Sequence, residues 1–140
     1  MSDYLGQATP GQPLSDVEEL LWRQVHPDWM QAGRCTSQAF KPTPKDKGQI
    51  SVSQSSLVSA EDAFQFHIST LDLESAGVWA ITVGDASSVG YAVLDDSQNP
   101  VPNTPPGHAL IDARQESGSR QKTLARALAS AANDRGRIHP

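Results

Sequence analysis

The stretch VWAITV at residues 78–83, set between Gly77 and Gly84, decides the fold. It is rich in β-branched and aromatic residues, and only Thr82 interrupts its hydrophobicity. This pattern predicts a strand buried on both faces, central in a sheet, with Trp79 as a core anchor. The two glycines end the strand because they adopt backbone conformations that are closed to other residues.

Weaker signals on both sides of this strand predict the remaining elements. Residues 17–25 are expected to form a helix, because Ser15 and Glu18 have the spacing of a capping box. Further helices are predicted to begin near Ser59 and to run over residues 120–134. Short strands are expected at residues 37–40, 50–52, 89–94 and 108–112, with a turn at residues 84–85. This order predicts an α+β fold, in which about three helices pack on a small mixed or largely antiparallel sheet.

The length of 140 residues suits one domain. Residues 1–14 contain two glycines and two prolines and predict a flexible arm, so that residues 15–140 form a single α+β domain. The one cysteine, Cys35, excludes an internal disulfide and any site built on a cysteine pair. The sequence contains neither a signal-peptide pattern nor a membrane-length apolar run, so we expect a cytoplasmic protein with no membrane partner.

The net charge of −5 argues against general affinity for nucleic acid. Basic residues nevertheless gather in the last helix, where Arg120, Lys122 and Arg126 form a candidate partner-binding surface that offers the one route to nucleic acid. A second candidate surface is the turn that carries Lys45 and Lys47. Both surfaces point to another protein as the partner.

Common catalytic patterns, such as a phosphate-binding glycine loop or a nucleophile elbow, are absent from the sequence. Among the four histidines, His26 is the best candidate for a catalytic base because it precedes Pro27 in a rigid turn. The others, His108 included, are interpreted as structural. The pair Asp95–Asp96 is interpreted as a solvated turn, and no metal site is expected. Cys35 is interpreted as a structural thiol.

Arg23, followed by Thr36 and Ser37, loosely resembles the first two elements of arginine-type ADP-ribosyltransferases. The resemblance implies NAD as cofactor, with Arg23 and Ser37 holding the nicotinamide mononucleotide half. In such an enzyme, Arg23, His26 and Ser37 would be the catalytic residues. The glutamate of that family is missing from its expected place.

A second resemblance covers most of the chain. The blocks LWRQVHP, SQAFKPTPKDKG, GVWAITV and HALIDA resemble, in this order, a family of small uncharacterised bacterial proteins. The resemblance implies a bacterial cytosolic protein but no activity. The sequence therefore favours a non-enzymatic protein-binding module without a cofactor, serving as an accessory, immunity-type or antitoxin-type partner of a larger protein. The alternative is a small NAD-using, ADP-ribosyltransferase-like enzyme or toxin, which requires Arg23 and Ser37 to meet in one pocket.

Overall fold

The computed structural model describes residues 11–43 and 47–140. Its centre is a six-stranded sheet, and the strands of this sheet are β1 (Gln12–Pro13), β2 (Leu20–Val25), β5 (Gln49–Gln54), β6 (Gly77–Thr82), β7 (Ala92–Asp95) and β8 (His108–Asp112). They lie in the order β1-β7-β8-β5-β2-β6, and every pairing is antiparallel. The short strands β3 (Met30–Gln31) and β4 (Arg34–Cys35) pair separately.

In the described part of the chain, three α-helices accompany the sheet: α1 (Ala60–Gln65), α2 (Val83–Ser88) and α3 (Gly118–Arg135). A π-helical turn, Phe66–Thr70, continues α1, and 3-10 turns occupy Pro27–Trp29 and Ser37–Phe40. Each α-helix begins at a hydroxyl residue, Ser59, Thr82 or Ser117, whose side chain accepts a backbone N–H of the first turn. The predicted α+β class, with three helices on a largely antiparallel sheet, is confirmed.

One face of the sheet forms the main core. Leu21, Ile50, Trp79 and Ile111 are almost completely buried in one cluster with side chains of α3 and with Phe40. Residues paired directly across antiparallel strands share a face, so Trp22, Ser53 and His108 lie on the opposite face. There α1 and the π-helical turn cover part of the sheet. This second face carries the candidate site.

The prediction that residues 78–83 form a strand with Trp79 in the core is confirmed, since Trp79 is 2% exposed. The prediction that this strand is central is wrong, because β6 is the last strand of the sheet. Its free edge is covered by the C-terminal segment, where Val78 N donates to His139 O (2.7 Å) and Ile138 N to Val78 O (2.8 Å). A covered edge strand between two layers of side chains has the same continuous hydrophobicity as a central one.

The helix predicted over residues 17–25 is also wrong. Residues 20–25 form β2, between β5 and β6, with Leu21 and Val25 buried and Trp22 on the other face. Four apolar residues in a short window fit both periodicities, and pairing with two neighbouring strands decides for the strand.

Four further boundaries differ from prediction. Gln12–Pro13, predicted as part of the flexible arm, forms β1 and pairs with β7, and residues 1–10 of the predicted arm lie outside the described residues. Residues 37–40 form a 3-10 turn instead of a strand. Residues 84–85, predicted as a turn, lie inside α2, because Thr82 and Asp85 form a capping box. The strand predicted over residues 89–94 is shorter and begins at Ala92.

Candidate functional site

The sheet opens between β2 and β5. Their ladder ends at the pair formed by Trp22 and Ser53, and Arg23 enters the gap that follows. Its guanidinium donates from Nη1 to Ser51 O (2.9 Å) and from Nε to Ala39 O (2.7 Å). The same group lies 5.2 Å from the ring centroid of Trp29, within range for a cation–π contact. Arg23 therefore holds the two strands where their backbone pairing stops.

Two cavities lie at this opening. The larger, about 610 Å³, is lined by polar and aromatic residues that include Arg23, His26, Trp29 and Glu74. The smaller, about 180 Å³, lies between the sheet and the layer of α1 and the π-helical turn, and Ser51 lines it. Four residues line both cavities: Arg23, Gln24, His67 and Leu73. The two cavities therefore adjoin each other, and we refer to them together as the cleft and to the smaller one, beside Ser51, as its small lobe.

A chain of short hydrogen bonds links Ser51, His108 and Asp96. Ser51 Oγ lies 2.6 Å from His108 Nε2, and His108 Nδ1 lies 2.7 Å from Asp96 Oδ2. Asp96 is 5% exposed, and its two carboxylate oxygens also accept from Asn99 Nδ2 (3.3 Å to Oδ1 and 3.1 Å to Oδ2). Ser51 is exposed, and the side chain of His108 is 12% exposed. The order of an accessible hydroxyl, an imidazole and a buried carboxylate is that of a serine-nucleophile triad.

The sheet explains how these three residues meet. Ser53 pairs with His108 across β5 and β8, so Ser51 lies two positions along the same face, within reach of the imidazole. Asp96 follows β7, and its backbone N–H donates to His108 O (2.9 Å), which closes the connection over residues 96–107. The strands β5 and β8, together with the end of β7, thus fix the positions of Ser51, His108 and Asp96.

The contact with Asp96 fixes the tautomer of a neutral His108. An ionised carboxylate only accepts, so His108 Nδ1 carries the proton toward Asp96. His108 Nε2 is then the acceptor for the Ser51 hydroxyl. This is the tautomer that a general base needs in order to remove a proton from serine.

The backbone of Ser51 points into the same opening. Residues 53 and 55 bond to β2, and backbone groups alternate sides along a strand, so the N–H and C=O of Ser51 also face β2. The carbonyl accepts from Arg23. The N–H is directed into the gap beside the Ser51 hydroxyl.

Two further histidines line the larger cavity. His26 Nδ1 accepts from Asp28 N (3.0 Å), which leaves Nε2 as the donor to Glu74 Oε1 (3.1 Å). His67, in the π-helical turn, contacts Glu74 O through Nε2 (3.3 Å). Burial lowers the pKa of His67, so that it is neutral near pH 7.

The predicted enzyme residues divide. Arg23 and His26 line the same cavity. Ser37 begins the 3-10 turn, half-buried, and is not among the residues found to line either cavity in the described part of the chain. The hydroxyl of Thr36 donates to Trp29 O (2.9 Å) and has a structural contact. Ser37 is thus not among the residues that line the two cavities around Arg23.

The predicted partner surfaces are accessible where they are described. Arg120, Lys122 and Arg126 are exposed on α3, and Lys47 is exposed. Lys45 lies outside the described residues. The neighbouring segment is partly core, however, because Ala39 and Phe40 are fully buried.

The acidic pair and the cysteine also have definite places. Asp96 is buried, so its interpretation as part of a solvated turn is wrong. Burial alone would raise the pKa of Asp95, but hydrogen bonds from Ser97 and Gln54 outweigh burial and lower it. No group of three metal-ligating side chains occurs among the described residues. Burial raises the pKa of the Cys35 thiol to about 11, as expected of a structural cysteine.

Comparison of the chain with protein-family models, curated proteins and solved structures finds no match. None of the helices in residues 11–43 and 47–140 has the length and apolar character needed to cross a membrane.

Sequence reasoning missed Ser51 and Asp96 and treated His108 as structural. The signal that was available is the alternation in QISVSQ, which places Ser51 and Ser53 on one face of a strand. That signal names no partner for either serine, since the partners come from strand pairings.

Proposed function

We propose that the protein catalyses serine-dependent hydrolysis of an ester, with Ser51 as nucleophile, His108 as general base and Asp96 as the carboxylate that orients His108. The single observation that carries this proposal is the continuous chain of hydrogen bonds from Ser51 to Asp96, open to a cavity at the serine and buried at the carboxylate.

The reaction follows from these positions. Ser51 Oγ attacks the carbonyl carbon of the ester while its proton passes to His108 Nε2, and Asp96 stabilises the imidazolium. The C–O bond to the alcohol then breaks, and the alcohol leaves with the proton from His108. Water attacks the acyl-serine and gives its proton to His108. The acid is released as that proton returns to Ser51.

The oxyanion of this reaction needs a donor near Ser51. The N–H of Ser51 supports the proposal, because the register directs it into the gap between β2 and β5. Arg23 donates a hydrogen bond to the carbonyl of Ser51, which keeps the gap open and fixes the backbone of Ser51. Arg23 is thus assigned a positioning role here.

The two functions expected from sequence stay predictions. The protein-binding role draws support from the exposed Arg120, Lys122 and Arg126. The NAD-using role draws less, because Ser37 is not among the residues that line the cleft around Arg23 and His26.

Labelling with a fluorophosphonate tests the proposal on the full chain. Such a reagent forms a phosphorus–oxygen bond to an activated serine and expels fluoride, which adds a fixed mass to the intact protein. We expect one label on the wild type, and none on Ser51→Ala or His108→Ala. Ser37→Ala is the matched control and should label fully. A wild type without label, or a labelled Ser51→Ala variant, would refute the proposal.

A further inference from the structure

The lining of the small lobe beside Ser51 is apolar in its larger part, and its polar members besides Ser51 are Arg23, Gln24, Ser53 and His67. Its walls include Trp22 from β2, Ala63 from α1, Phe66 and Leu71 from the helical layer, and Pro105. The polar atom of Trp22 is already used, because its indole N–H donates to Val58 O (2.8 Å). The ring of Trp22 therefore presents apolar surface.

We propose that this lobe binds the acyl group of the substrate, and that the substrate is an ester of a short apolar acid. The inference rests on the proposed function, since Ser51 must be the nucleophile. The acyl group stays on Ser51 after the alcohol leaves, so it must occupy a cavity that Ser51 lines. Of the two cavities that adjoin each other at Arg23, only the smaller is lined by Ser51.

The size of the lobe limits the acyl chain. A volume of about 180 Å³ is the share of roughly six water-sized groups, at about 30 Å³ for each. A methylene is of similar size, so acyl chains of about four to six carbons fill the lobe. Longer chains would have to displace Phe66 or leave the lobe.

The larger cavity suits the alcohol. It adjoins the small lobe through Arg23, Gln24 and His67, and the exposed Asp72 and Glu74 lie at its rim. A polar alcohol can exchange hydrogen bonds with water there as it departs. The substrate class is therefore an ester that joins a short apolar acid to a polar alcohol.

The covering layer supports a binding role for the small lobe. Phe66–Thr70 is π-helical, a rare geometry that occurs often at functional sites. It directly follows α1, and Phe66 and His67 from this turn line the lobe. The residues that would contact an acyl chain are thus set by an irregular turn.

A chain-length series tests the inference. The experiment measures kcat/KM for the hydrolysis of nitrophenyl esters of acids with two to twelve carbons, using the wild type and the variants Phe66→Ala and Ala63→Val. We expect the wild-type kcat/KM to be highest at four to six carbons and to fall about tenfold or more by ten carbons. Phe66→Ala enlarges the lobe and should move the maximum to longer chains, whereas Ala63→Val should move it to shorter ones. The exposed Leu57→Ala serves as control and should keep the wild-type profile.

Fluorophosphonate labelling of the same proteins separates the two proposals. If the wild type labels at Ser51 but its profile is flat or still rises at ten carbons, the acyl lobe is refuted and the catalytic serine stands. The same holds if either folded lobe variant keeps the wild-type maximum. If the wild type does not label, both proposals fall. Circular dichroism identifies any unfolded variant, in which case the wild-type profile and the other variant decide.

Discussion

Trp79→Ala should be the most destabilising of the three Trp→Ala substitutions. Trp79 is 2% exposed in the main core, whereas Trp22 and Trp29 are half-buried. A buried tryptophan removes roughly 200 Å² from water, worth about 5 kcal/mol at roughly 25 cal/mol per Å². Alanine keeps part of this burial, so we expect a loss of about 3–5 kcal/mol, in the range measured for large aromatic residues.

The losses for the other two tryptophans should be smaller but unequal. Trp22→Ala also removes the hydrogen bond to Val58 O, worth about 1 kcal/mol, while Trp29→Ala removes its contact with Arg23. A domain of this size is stable by roughly 5–15 kcal/mol, so Trp79→Ala should remove a large fraction of the total. Urea unfolding followed by circular dichroism measures all three. If Trp79→Ala is the least destabilising of the three substitutions, the assignment of Trp79 to the core face of the sheet is refuted.

Two further predictions concern Cys35 and Asp85. Because burial raises the pKa of Cys35 to about 11, the native thiol should react with Ellman's reagent far more slowly at pH 8 than the denatured chain, and Cys35→Ala should keep the fluorophosphonate label; rapid native reaction would contradict this. Asp85→Ala should cost about 1 kcal/mol at pH 7, since it removes the capping contact to Thr82 N (2.9 Å) and the ion pair to Arg135 (2.8 Å). Burial of Asp85 acts to raise its pKa, but the contacts with Thr82 and Arg135 outweigh burial and lower the pKa below its usual value. The contribution of Asp85 to the stability of the fold is therefore fully present above about pH 4 and is lost as the pH falls below that value. The stability difference between Asp85→Ala and wild type, followed by urea unfolding from pH 7 to pH 3, should therefore shrink toward acid, while the exposed Asp134→Ala should show little difference at either pH.

The fold could be predicted from the sequence where one periodicity dominated. The segment around Trp79, the helix beginning at Ser59 and the last helix all have long or strongly capped patterns, and each is present. Residues 20–25 could not be assigned correctly, because six residues with four apolar side chains satisfy both a helix stripe and a paired strand. In the same way, the hydrophobicity of residues 78–83 predicts that β6 is buried. It does not predict whether the edge of β6 away from β2 is covered by another strand or by the C-terminal segment.

The candidate site was harder to predict, because none of its residues is marked by its neighbours in sequence. Ser51 lies in an alternating strand, Asp96 in a connection rich in proline and asparagine, and His108 at the start of another strand. What joins them is the register of β5 against β8, and a shift of one residue would turn Ser51 to the other face of the sheet. Arg23 shows the converse: the alternative ADP-ribosyltransferase hypothesis names Arg23, which lines the cleft, but not the serine beside it. The sequence suggested Ser37, the nearer serine downstream, whereas the sheet brings Ser51 to Arg23 through a backbone carbonyl. A site made by strand pairing becomes visible only once the pairing is known, and the labelling of Ser51 against Ser37 tests whether the fold activates the serine that pairing places in the cleft.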